Sequence, residues 1–216
     1  PTPHTSEISN FFNISSISSF KNIEVKTPRE DSDEDNPGDK VNPGEVKDFF
    51  DNSEIMKTYF SHVLRAEREI FGEISFIPQN VSPLILKMGD LNKIDIDILG
   101  PALNSESFIV FGSSYIKGEL IDMLVKKKCL NIHMGVSPFY RGSSCNFWAL
   151  HDENFQYVGA TVHLLSKGLD SGDILFHCLP SFEPDPFNFT MKSVKSAHIG
   201  LVNRLKDKTI FKLSPL

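Results

Sequence analysis

The stretch FIVFGSSYIKGELIDMLVKKKCLNIH, residues 108–133, decides the fold. Phe108, Ile109, Val110 and Phe111 form an unbroken apolar run that stops at Gly112. Such a run reads as a strand buried on both faces, as in a parallel sheet. Residues 116–127 then place apolar side chains at helical spacing. They lead into Lys126, Lys127 and Lys128, cations that suit a helix C-terminus. Cys129 to His133 reads as the next strand. Strand, helix and strand in so short a span make a βαβ unit, which should be right-handed. The expected class is α/β, three-layered and Rossmann-like, with a mostly parallel sheet. Ligands in such sheets sit beyond the strand C-termini, which puts Gly112, Ser113, Ser114 and His133 on one rim.

Downstream, residues 146–151 read as a helix holding the only Trp, Trp148. Residues 159–165 and 174–179 read as strands, joined by a hairpin or a crossover around 166–173. Residues 188–206 read as a closing helix. Upstream, Ser53 is placed to cap a helix that Gly72 would stop. Ile94 to Leu99 alternates and could be strand or helix end. Residues 1–50 are rich in Ser, Asn, Pro and acids, and 30–39 hold six acidic residues: Glu30, Asp31, Asp33, Glu34, Asp35 and Asp39. That composition buries too little apolar area to offset ordering entropy, so 28–46 reads as a solvated loop. Ile23 to Lys26 alternates and could be a short strand. The chain therefore divides into a poorly structured or diverged segment, 1–50, and a catalytic-type domain, 51–216.

Composition narrows the function. The chain has 216 residues, with 22 Lys+Arg, 28 Asp+Glu and a net charge of −6. That argues against a general nucleic-acid binder, which needs a basic face. No apolar run is long enough to span a membrane. The opening Pro1-Thr2-Pro3-His4 has no signal-peptide pattern, and a truncated or processed start is expected. Cys129, Cys145 and Cys178 are too scattered for a disulfide framework, so a cytoplasmic setting is expected.

The chemistry-bearing residues are dense between Asn131 and Asp173. Asn131 and His133 are two apart on a strand, so they share a face. An amide beside an imidazole offers two donors to a developing oxyanion. Asp170, on a turn between Gly168 and Gly172, could orient that imidazole and keep it protonated. Together the three suit acyl or formyl transfer to an amine without a covalent enzyme intermediate. Read on its own, a strand-end His such as His133 is more often structural than catalytic.

Residues 106–180 resemble the folate-dependent formyltransferases, the family of the glycinamide ribonucleotide, methionyl-tRNA and nucleotide-sugar enzymes. The family pattern N-x-H-x-S-x-L-P-x-Y-R-G meets Asn131, His133, Pro138, Tyr140, Arg141 and Gly142 here. Its G-x-T-x-H strand meets Gly159, Thr161 and His163, and its L-D-x-G turn meets Leu169, Asp170 and Gly172. The resemblance implies that Asn131, His133 and Asp170 are catalytic. It implies 10-formyltetrahydrofolate as formyl donor. The pterin would be lined by Phe111, Gly112, Ser113, Ser114 and Tyr115 and by Leu165, Gly168 and Leu169. Arg141 and Gly135 would face the acceptor.

The sequence also departs from the pattern. The family Ser is Gly135 here, and the Leu before Pro138 is Ser137. The opening βα unit of the family is missing or diverged within residues 1–30, and the chain ends without the C-terminal barrel of the methionyl-tRNA type. The expected acceptor is therefore a small amine, and nucleic acid is disfavoured. A 10-formyltetrahydrofolate hydrolase and a non-catalytic binding relative are the alternatives. His163, His177 and Cys178 fit no zinc spacing, so no metal is expected and they read as ordinary strand residues. Cys145 reads as a packing residue.

Overall fold

The structure is a computed structural model, and it describes residues 54–73, 76–87 and 89–216. The acidic loop, the candidate strand at 23–26 and the first-unit region lie outside these residues. Four helices and four strands organise the described part. They are α1 (Glu54–Phe71), β1 (Ile109–Phe111), α2 (Gly118–Lys126), β2 (Leu130–His133), α3 (Cys145–His151), β3 (Ala160–Leu164), β4 (Ile174–Cys178) and α4 (Pro186–Lys206). The strands lie side by side in chain order.

The α/β class and the β1–α2–β2 unit stand, and β1 pairs with β2 in parallel. The mostly parallel sheet does not hold among the described strands, because β2–β3 and β3–β4 are both antiparallel. For β3 and β4 the reason is the connection between them. It is too short for the crossover of a dozen or more residues that parallel neighbours need, so it closes as a hairpin. Burial of β1 on both faces also fails. Ile109 is 48% exposed, because only β2 flanks β1 among the described strands. Residues 96–104 form 3-10 turns broken at Gly100, neither a strand nor an α-helix end.

Alternation along the strands separates the sheet into two unlike faces. Leu130, Ile132, Ala160, Val162, Phe176 and Cys178 join Ala197 and Leu201 of α4 in the main apolar core. Asn131, His133, Thr161 and His163 point the other way, in register as Asn131 opposite His163 and His133 opposite Thr161. This polar face is nonetheless covered: His133 is 5% exposed, Thr161 0% and His163 1%. The segment after β2 and the β3–β4 turn close over it.

Helix ends follow local chemistry. Gly72, at φ 79°, stops α1 and donates its N–H to the Arg68 carbonyl. Helix α4 starts two residues earlier than the apolar pattern suggests. Asp185 caps it by accepting the Asn188 N–H, and Pro186 fits the first turn, where no N–H is needed. Arg65 of α1 pairs with that same Asp185 at 2.7 Å, and Val63 and Ala66 pack with Met191, so α1 docks on α4.

Candidate active site

Strand β2 ends at the site and supplies Asn131 and His133. The β3–β4 turn returns Asp170 to them, with Asp170 itself at φ 43°. Gly172 makes this return possible. A Cβ there would lie 1.7 Å from the Leu164 carbonyl oxygen, so only glycine lets the turn pack so closely.

The Asp170 carboxylate gathers donors from three segments. Its Oδ2 faces His133 Nδ1 at 3.2 Å and accepts the Gly142 N–H at 3.1 Å. Its Oδ1 accepts an N–H from Asn131 Nδ2 at 3.4 Å and faces His163 Nε2 at 3.8 Å. Burial pushes the Asp170 carboxyl up, but the two imidazoles and the Gly142 amide together outweigh it and hold the carboxyl below its ordinary range. Asp170 is therefore ionised at neutral pH.

The other ring nitrogen of His133, Nε2, lies 3.0 Å from the Tyr140 carbonyl oxygen. Both ring nitrogens thus face acceptors, an arrangement that a doubly protonated imidazole satisfies on each side. The Cys145 Sγ sits 3.7 Å from the same Nε2. That contact completes a Cys–His–Asp line, but the thiol is 2% exposed. Burial and the Asp170 charge push it up to about 12, so it is a protonated packing group, as expected from the sequence.

The departure at Gly135 has a steric cause. A Cβ there would meet the Cys145 Cβ at 2.6 Å and His133 Nε2 at 2.7 Å. The side-chain space of the family serine is filled here by Cys145. Ser137, the second departure, is 1% exposed with its Oγ unpartnered. The loop through both residues is pinned from β3 and β4. Thr161 Oγ1 donates to the Gly135 carbonyl and accepts the Ser137 N–H, and the His177 ring contacts the Ser137 carbonyl at 2.8 Å.

The two expected pterin segments also meet. The Tyr115 hydroxyl donates to the Lys167 carbonyl, joining loop 111–115 to turn 165–169. Gly112, Ser113, Ser114, Gly168 and Leu169 are exposed there. Phe111 instead turns its ring onto His198 of α4, and Leu165 packs beside α2, so these two contribute backbone rather than ring-facing surface. Arg141 is exposed. No group of His, Cys, Asp and Glu suited to a metal occurs among the described residues.

Sequence reading missed His163 as part of the site. The signal for His163 was its place in the Gly159, Thr161, His163 alternation, but only the β2–β3 register puts it opposite Asn131.

Residues 101–187 match the formyl transferase family model. The resemblance read from the motifs is borne out over this formyl transferase segment, which is less than half of the chain. The methionyl-tRNA formyltransferase of Caldanaerobacter subterraneus subsp. tengcongensis is 34% identical over 98 residues, covering 45% of this chain and 31% of that protein. That of Thermodesulfovibrio yellowstonii is 35% identical over 74 residues, covering 34% of this chain and 24% of that protein. The chain spans about a third or less of the length of the curated relatives it matches. Among solved structures, a 4-N formyltransferase from Francisella tularensis superposes with a TM-score of 0.48 at 18% identity, over 81% of this chain and 69% of that one. Asn131, His133 and Asp170 all fall inside the formyl transferase segment.

Proposed function

We propose that the chain transfers a formyl group from 10-formyltetrahydrofolate to a small amine. The observation that supports this most is the meeting of Asn131, His133 and Asp170 around one ionised carboxylate inside the matched segment. The residues present fit a pterin, which needs accessible backbone donors and acceptors. Residues 112–114 and 167–169 offer exposed backbone on two loops that Tyr115 ties together.

The donor supplies an electrophilic formyl carbon. His133 is held at Nδ1 by Asp170, and its Nε2–H turns from the Tyr140 carbonyl to the charge growing on the formyl oxygen. Asn131 lies beside it on the same face of β2. A carboxylate held below its ordinary range is a weak base. Asp170 therefore acts mainly by orienting His133. The amine proton passes through water to the nitrogen that the formyl group leaves. A small amine suits a chain with a net charge of −6 better than a polyanion does.

The test is product analysis by mass spectrometry, with 10-formyltetrahydrofolate and a panel of amino sugars and amino acid derivatives. Formylated amine together with tetrahydrofolate supports the reading. Formate released at the same rate with every amine would replace transfer by hydrolysis. Unconsumed donor in a folded sample would reject both.

A further inference from the structure

We propose that Asn92 is a positioning residue of the donor site. It acts through Tyr115 to hold turn 165–169 against loop 111–115, and so fixes the width of the cleft between them. The identity of the donor rests on the formyl-transfer reading, whereas the clasp rests on its own contacts.

Asn92 lies in a 3-10 turn, Asp90–Lys93, well before the loop in the chain. Its side-chain amide holds one edge of that loop. Nδ2 donates to the Tyr115 carbonyl at 2.7 Å, and Oδ1 accepts the Lys117 N–H at 2.7 Å. A carbonyl and the N–H two residues on are the pair that one residue of a neighbouring strand bonds in a parallel ladder. Lys117 is extended, at φ −132° and ψ 175°, yet residues 113–117 belong to no strand. The Asn92 amide, with a donor and an acceptor side by side on one planar group, takes the place of that neighbour.

The clasp stands on a common core. Ile116, between the two bonded residues, is buried in the α2 cluster. Leu91 and Ile94, on either side of Asn92, pack against the same cluster. Asn92 thus locks two segments that already share apolar support. The outer arm is Tyr115. With its main chain held, its hydroxyl reaches across the cleft and donates to the Lys167 carbonyl. The Lys117 ammonium lies 5.4 Å over the Tyr115 ring and lines up with the same arm. A second tie on the turn, Lys167 Nζ to Asp122 of α2, joins two exposed side chains, so solvent screens it.

The consequence is a split between binding and chemistry. Asp170, at the far end of the turn, is held separately by the Gly142 N–H and by His133. Loosening the clasp frees the two donor loops without releasing that pair. The donor must then order the loops as it binds, which lowers its affinity. The step that follows, with donor bound, keeps its rate.

Two measurements on the full chain test this. In 15N–1H spectra of the unliganded protein, Asn92→Ala should speed exchange of the Lys117 N–H and shift the amide signals of Gly168 and Leu169 across the cleft. Made on top of Tyr115→Phe, it should leave Gly168 and Leu169 where Tyr115→Phe alone puts them. Signals of Gly168 and Leu169 that ignore Asn92→Ala would overturn the proposal. The second measurement is calorimetric titration with 5-formyltetrahydrofolate, a stable stand-in for the reactive donor. Each single variant should raise Kd about five- to tenfold, the range for one or two lost neutral hydrogen bonds. The double variant should raise it no more than about tenfold, because the two residues act in series. With an amine established as substrate, kcat at saturating donor should hold in Asn92→Ala. A double variant weakened by the product of the two single effects, or parent affinity in either single variant, would contradict the proposal. Tyr115→Phe removes one exposed hydroxyl, so it tests the outer arm even where Asn92→Ala fails to fold. If the parent binds no folate while the signals move as stated, the formyl-transfer reading falls and the clasp stands.

Discussion

Replacing Asp170 by Asn should lower stability by about 3 kcal/mol and flatten the acid limb of the stability profile. The carboxylate accepts from Gly142 N–H at 3.1 Å and Asn131 Nδ2 at 3.4 Å, and pairs with His133 Nδ1 at 3.2 Å. The Asn side chain can keep its oxygen at the Oδ2 position. The two contacts there survive but lose their charge, each costing about 1 kcal/mol, the difference between a charged and a neutral hydrogen bond. The new NH2 group then faces the Asn131 NH2 group, so the third contact becomes donor against donor, worth about a further 1 kcal/mol. For a chain of this size the change lowers Tm by roughly 6–12 °C. The pH dependence has a definite sign. Folding lowers the Asp170 pKa, so its ionisation adds stability that is fully present above the ordinary aspartate value. That stability is lost as pH falls through the lowered folded value. The assay is thermal unfolding followed by circular dichroism from about pH 7 to about pH 3, a range that brackets ordinary carboxyl titration. The parent should lose more stability than the variant across the acid limb. A variant with the parent Tm, and with the parent acid limb, would refute the carboxylate-centred network.

Gly135→Ala should cost about 1–3 kcal/mol by overpacking, read by urea unfolding, because the new Cβ lands 2.6 Å from the Cys145 Cβ. Unchanged stability would mean the loop relaxes freely and Cys145 does not fill the serine space. Cys145, with its thiol pushed up to about 12, should react with iodoacetamide far more slowly in the native protein than in urea. Rapid labelling of Cys145 in folded protein would make it a reactive group rather than a packing one.

The legible part of the fold is the part set by local pattern. The apolar run into Gly112, the lysine-ended helix and the strand ending at His133 identify the βαβ unit from residues 108–133 alone. Asn131 and His133 share a face by strand period, and the motif spacing brings in Asp170. Pairing between distant segments is not written in this local pattern. His163 looks like an ordinary strand residue until the β2–β3 register sets it opposite Asn131. The direction of β4 against β3 depends on how the short turn closes, and the apolar content of the strands does not report that. The exposure of Ile109 is of the same kind, since the composition of β1 says nothing about which strands flank it. The reason for Gly135 appears only when Cys145 is seen beside His133.

The central claim is that Asn131, His133 and Asp170 work as one formyl-transfer site, and the most direct measurement compares turnover in the parent and in His133→Ala. Both proteins would be matched for folding by circular dichroism and assayed with 10-formyltetrahydrofolate and the best amine. The account predicts that kcat falls by about 10²–10⁴-fold, the range for losing a donor to the developing charge, while folate affinity holds. A variant that turns over at the parent rate would contradict it.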